Sequence, residues 1–212
     1  MTERPTRLQA VCWDMGGVLL RTFDWRKRRM WERRLHLPPG SLEREVFDGP
    51  ASRLAMLGRA TSADVWQEVA RSHALSDDEA RTLRADFFAG DRLDDELLAY
   101  IASLRPAIRT ALISNAWPDV RLALGEAGTN AFFDEIVISA EVGAAKPDPS
   151  IYQIALDRLR LPAEAAAFVD DMPRNLEAAR AIGMHVVLFN GTQRTIEAVM
   201  KALREEDHLG SV

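Results

Sequence analysis

Hydrophobic positions along this chain change period several times, and each change marks an element. Ala10 to Trp13 is an unbroken apolar run, β-branched at Val11 and closed by Gly16-Gly17, which predicts a buried strand carrying Asp14 at its carboxyl end. After Leu20 the period lengthens to three and four residues and stays helical for about seventy residues. Asp24 is placed to cap a helix through about His36, which Pro38-Pro39-Gly40 ends, and Ser41 is placed to cap a second. Ser62 opens a third helix, with Val65, Trp66, Val69 and His73 on one apolar face. Ser76, followed by Asp77, Asp78 and Glu79, opens a fourth that carries Leu83, Phe87 and Phe88. Gly90 and Asp91 close the insert.

From Asp94 onward strand and helix alternate. Helices are expected at 94–104, 119–126, 148–160, 173–182 and 192–204, and apolar runs at 108–113, 135–139, 165–169 and 185–189 read as strands. This alternation predicts an α/β fold, a doubly wound parallel sheet interrupted after its first strand by an all-α insert. The expected division is a core of residues 1–20 and 92–212 and a helical unit of 21–91. The tail EEDHLGSV is expected to fray.

With 212 residues, 47% of them hydrophobic, the chain can bury one good core and a smaller appendage. A formal charge of -5 argues against a nucleic-acid or anionic-membrane partner, because both need a dominant positive field. No stretch approaches the ~18 apolar residues of a membrane span. Cys12 is the one cysteine and cannot form an intramolecular disulfide, which fits a reducing compartment and a cytoplasmic protein. The basic run Arg26 to Arg34 reads as a solvated helix face. Trp25, Trp31 and Trp66 read as packing within the insert, and Trp13 and Trp117 as packing close to the candidate chemistry.

That chemistry falls at strand ends: Asp14, Ser114 and Asp170-Asp171, joined by Lys146 in a Gly- and Pro-containing loop. Singly, each has an ordinary reading, the acid pair as a helix cap, Ser114-Asn115 as a turn and Lys146 as a surface cation. If the strands are parallel, all open on one edge of the sheet, where ligands of such sheets bind. Together they suit phosphoryl transfer, which needs a nucleophile, cations on the phosphoryl oxygens and usually a magnesium ion held by a few carboxylates. Asp14 can attack phosphorus, Asp171 can share a metal with it, and Ser114 and Lys146 can hold the oxygens.

The motif WDMGGVLL resembles the nucleophile motif of the haloacid dehalogenase-like hydrolases, most of which are magnesium-dependent phosphatases. ALISN is similar to that family's second motif at Ser114, the loop GAAKPDPS to its lysine motif at Lys146, and FVDDMPRN to its acidic motif at Asp170 and Asp171. The resemblance implies a Rossmann-like core with a helical cap inserted after the first strand, and a small phosphorylated metabolite as substrate. It implies Asp14 as nucleophile, working with Ser114 and Lys146, and Met15, Gly16, Ser114, Asn115 and Lys146 around the phosphoryl group. Mg2+ would be held by Asp14, the Gly16 carbonyl, Asp170 and Asp171, with Asn175 as a helper near the metal. One departure stands out. Phosphatases of the family usually carry a second Asp two residues after the nucleophile as general acid, and this chain has Gly16. Three rivals follow from the same resemblance. A metal-independent 2-haloacid dehalogenase would carry a Ser-rich segment in place of Asp170-Asp171, a phosphomutase relies on the acid that Gly16 replaces, and a regulatory domain would keep the fold without turnover.

Overall fold

The computed structural model describes residues 7–209, with side chains described through Arg204. Five strands form one parallel sheet: β1 (Ala10–Trp13), β4 (Arg109–Ser114), β5 (Glu135–Ile138), β6 (Ala166–Asp170) and β7 (His185–Leu188), in the order β5-β4-β1-β6-β7. β1 is central because both of its faces are apolar, and Ala10, Val11, Cys12 and Trp13 are all fully buried. Strand periodicity then divides its side chains between two cores. Ala10 and Cys12 pack with Ile151, Tyr152 and Leu156 of α9 (Pro149–Leu159) and Ala179 of α10 (Pro173–Ala181). Val11 and Trp13 pack with Leu97 and Ile101 of α6 (Asp95–Leu104) and Val199 of α11 (Thr192–Leu209). Helices therefore cover both faces, as the alternating pattern requires, with α7 (Val120–Glu126) and α8 (Ser139–Val142) following β4 and β5.

The strand ends sit one residue later than expected at two places that matter. β4 closes on Ser114 and β6 closes on Asp170, so both belong to the ladder and not to the loops after it. The last helix continues to Leu209, past the expected end at Arg204, while residues 210–212 of the tail lie outside the described residues.

Between β1 and α6 stand five helices: α1 (Arg26–Arg34), α2 (Ser41–Asp48), α3 (Pro50–Ala55), α4 (Ser62–Ser72) and α5 (Asp77–Phe88). They share an apolar cluster of Trp31, Leu42, Val46, Val65, Trp66, Leu83 and Phe87. Two of these helices start with a capping box, Ser76 with Glu79 and Thr61 with Asp64. The second fits the expected start: Ser62 is the first helical residue, and Thr61 before it is the cap. Ser41 is likewise helical, preceded by Gly40 at φ 82°. Asp24 accepts from Arg26 N at 3.0 Å, although the residue at the cap position is Trp25.

Three features lie outside the sequence pattern. Leu20–Thr22 (β2) and Asp91–Leu93 (β3) pair antiparallel, tying the two chain crossings of the insert together. α3 is a six-residue helix led by Pro50, too short for a period to register. The basic run is not wholly solvated either. Arg28 is buried, with Nη2 donating to both oxygens of Asp91 at 2.8 Å and Nε to Phe87 O at 2.7 Å. A buried guanidinium needs such partners, and the non-local Asp91 supplies them. Among the described residues, no helix is long and apolar enough to cross a membrane.

Candidate active site

Backbone pairing between β1 and β6 builds the site. Asp14 N donates to Val169 O at 2.9 Å, which continues the parallel ladder one residue past β1 and sets Asp14 beside Asp170 and Asp171. Carboxylate oxygens of these three lie within 4.8 Å of one another. Lys146 reaches between them from the loop before α9. Its Nζ lies 2.6 Å from Asp14 Oδ1 and 2.8 Å from Asp170 Oδ2, and 5.2 Å from the centre of the Phe168 ring. The cation is 5% exposed, so the reading of Lys146 alone as a surface residue does not hold.

The four charged groups do not balance. One ammonium faces three carboxylates in a mostly buried space, and the titration behaviour follows. Burial pushes the Asp14 carboxyl up to about 7; Lys146 opposes this and Asp170 adds to it. Burial also raises Asp171, and Asp170 reinforces the effect. A divalent cation would bring the charge that is missing, and hard oxygen donors in small number suit magnesium. The room that lets Asp171 approach the loop after β1 is a backbone feature. Gly17 has φ +82°, and a Cβ built on it would lie 2.4 Å from Asp171 Oδ2. The residues present therefore fit a divalent ion.

Asp170 is the anchor of the cluster. Met172 N donates to its Oδ1 at 2.7 Å, Asn175 Nδ2 lies 3.1 and 3.0 Å from its two oxygens, and Lys146 takes Oδ2. Asn175 is held in turn by Tyr152, whose hydroxyl donates to Asn175 O at 2.9 Å. Asp171, by contrast, is half-buried and faces the β1 loop.

The other residues singled out from the sequence fall as follows. Met15 N donates to Asp14 Oδ1 at 2.6 Å, fixing the carboxylate over its own loop. Gly16 is exposed, and a Cβ there would meet nothing within 4 Å. Ser114 is buried at the end of β4, next to β1. Asn115, expected beside the phosphoryl group, has its side chain on the Lys146 main chain: Nδ2 donates to Lys146 O at 2.8 Å and Oδ1 accepts from Lys146 N at 2.7 Å.

The helices of the insert touch the core at a segment just beyond Ser114. Trp117 is buried in the insert's own apolar cluster, 5.8 Å from the Phe47 ring and 6.4 Å from Trp66, and its Nε1 donates to Ser52 Oγ at 3.0 Å. Two residues on, Asp119 accepts from Ser62 Oγ at 2.7 Å. Ser52 carried no signal in the sequence, because it lies in the short α3 and its partner is 65 residues away.

This fold and this cluster define a class. A family model described as haloacid dehalogenase-like hydrolase matches residues 8–183, and the chain belongs to that family. It is 27% identical over 204 residues to the phosphatase MT3486 of Mycobacterium tuberculosis, covering 92% of this chain and 94% of the relative. It is also 30% identical over 206 residues to drimenol cyclase drtB of Aspergillus calidoustus, covering 86% of this chain but 34% of the relative. The chain spans about a third of the length of several curated relatives it matches. A solved structure described as a predicted HAD-like family hydrolase from Porphyromonas gingivalis superposes with a TM-score of 0.74 at 23% identity, covering 94% of this chain and 99% of that one.

Proposed function

We propose that this hydrolase is a magnesium-dependent phosphatase of small phosphorylated metabolites, working through an aspartyl phosphate on Asp14. The observation that carries the reading is the cluster of Asp14, Asp170 and Asp171 at adjacent strand ends, with Lys146 reaching in from the loop before α9. Similarity to a phosphatase across nearly the full length of both chains supports it.

Asp14 is the nucleophile: one of its carboxylate oxygens forms a bond to phosphorus while the ester P–O bond breaks and the leaving oxygen departs. Water then attacks the phosphoryl group, releasing orthophosphate and restoring Asp14. Lys146, a point charge beside Asp14 Oδ1, neutralises phosphoryl oxygens, and Ser114 donates to them. Met15 orients the nucleophile through its N–H, while Asp170 and Asn175 hold Lys146 in place. Asp14, Asp171 and the Gly16 carbonyl would hold the magnesium ion, with Asp170 adding negative charge alongside. When bound, the ion supplies charge neutralisation on the transferred group. Residues 21–91 form the cap of this reading and 1–20 with 92–212 its catalytic core. Docking of the cap through Trp117 excludes water from the pocket, as lids commonly do.

Hydrolysis of p-nitrophenyl phosphate with magnesium tests the proposal. Turnover should appear with magnesium, disappear with a chelator, and be absent in folded Asp14→Asn. Undiminished activity in Asp14→Asn sinks the covalent mechanism. Metal-independent release of chloride from 2-chloropropionate would establish the dehalogenase reading, which the acid pair Asp170-Asp171 disfavours.

A further inference from the structure

We infer that Asn115 is a positioning residue for Lys146, acting on the lysine's main chain. The inference rests on the reading of Lys146 as the cation of a phosphoryl site. Asn115 directly follows Ser114 at the end of β4, and Lys146 lies 31 residues further on, in irregular backbone between the turn at Gly143 and α9. One carboxamide meets both polar groups of the lysine's main chain: Nδ2 donates to its carbonyl at 2.8 Å, and its N–H donates to Oδ1 at 2.7 Å.

Two bonds from one planar group fix the orientation of a backbone segment as well as its place, much as an adjacent strand would. Here a side chain supplies the pairing, because β4 and its ladder to β5 both stop at Ser114. Asparagine is the residue type this demands, offering one acceptor and one donor at a short, stiff reach. The need comes from the lysine. Its stem is long and rotamer-rich, so the ammonium stays between Asp14 and Asp170 only if the stem starts from a fixed point. Since Ser114 and Asn115 are neighbours, the same strand end would set both groups that hold the phosphoryl oxygens and keep their spacing constant.

The alternative is a direct contact, since Nδ2 has a second hydrogen that a phosphoryl oxygen could accept. A double-mutant cycle on inorganic phosphate affinity separates the two. Isothermal calorimetry with magnesium would be run on wild type, Asn115→Ala, Lys146→Met and the double variant, with thermal melts to verify folding. Positioning predicts that Asn115→Ala weakens phosphate binding about tenfold when Lys146 is present and less than about twofold in Lys146→Met, because the second change then has nothing left to displace. Equal losses in both backgrounds overturn the inference in favour of direct contact. If Asn115→Ala does not fold, Asn115→Gln carries the same comparison, since it keeps a donor and an acceptor without adding charge but displaces both by one methylene. Unchanged phosphate affinity in Lys146→Met would refute the phosphoryl site itself. Loss in Lys146→Met without coupling to Asn115 would refute only the positioning role.

Discussion

A Cβ placed on Gly17 would lie 2.4 Å from Asp171 Oδ2, so the loop after β1 approaches the end of β6 as closely as bare backbone allows. Gly17 also has φ +82°, where an L side chain costs about 1–2 kcal/mol. Gly17→Ala should therefore lower stability by about that amount and push Asp171 away from Asp14. Magnesium affinity measured by calorimetry should fall with it. Affinity equal to wild type would show that Asp171 is not a ligand.

Gly16 is the contrasting case, exposed, outside the left-handed region and with nothing within 4 Å of an added Cβ. Gly16→Asp should fold normally. A positioned general acid contributes about 10² to 10⁴ in rate, chiefly for poor leaving groups. The variant should thus gain more on alkyl phosphates than on p-nitrophenyl phosphate, and wild type should show a steeper dependence of rate on leaving-group acidity. Equal slopes in the two proteins would mean that another group already supplies the proton.

Asp14 should contribute to the metal-free protein a stability that declines as pH rises. Burial raises its carboxyl from 3.8 to about 7, so between these values the folded chain binds more protons than the unfolded one. Wild-type stability contributed by this group is complete at low pH and declines as pH rises through that window. Asp14→Asn has no such proton. Thermal melts in chelator should show the variant gaining on wild type from about pH 4 to about pH 7 and a constant difference above, and a gap that narrows over the same range would contradict this.

Trp117 should anchor the helical insert. Trp117→Phe keeps most of the apolar contact but removes the donor to Ser52 Oγ, at a cost of about 1 kcal/mol. Trp117→Ala also leaves a cavity among Phe47 and Trp66, and should cost about 3–5 kcal/mol. Hydrogen exchange in residues 41–72 should quicken in the alanine variant while β1 and β6 stay protected. Uniform loss of protection across both units would show that Trp117 is simply part of one global core.

Much of this molecule was written in local pattern. The apolar run at Ala10–Trp13, β-branched and closed by Gly16-Gly17, reads as a strand buried on both faces, and Ser76 with Glu79 closes a helix start within four residues. Asp14, Ser114 and Asp170 were legible because a strand end is a local event, and parallel strands carry all their carboxyl ends to one edge. Periodicity has no hold on elements too short to repeat, which is why β2, β3 and α3 escaped it. Nor can it assign partners. Arg28 belongs to a basic run in sequence, and only the pairing of β2 with β3 delivers Asp91 to it. The electrostatics of the site lie at the same level: Lys146 sits between Asp14 and Asp170 because Asn115 receives its backbone and Asn175 holds its acceptor. Coulomb energy and desolvation depend on distances between residues far apart in the chain, and those distances exist only once the sheet has closed its register.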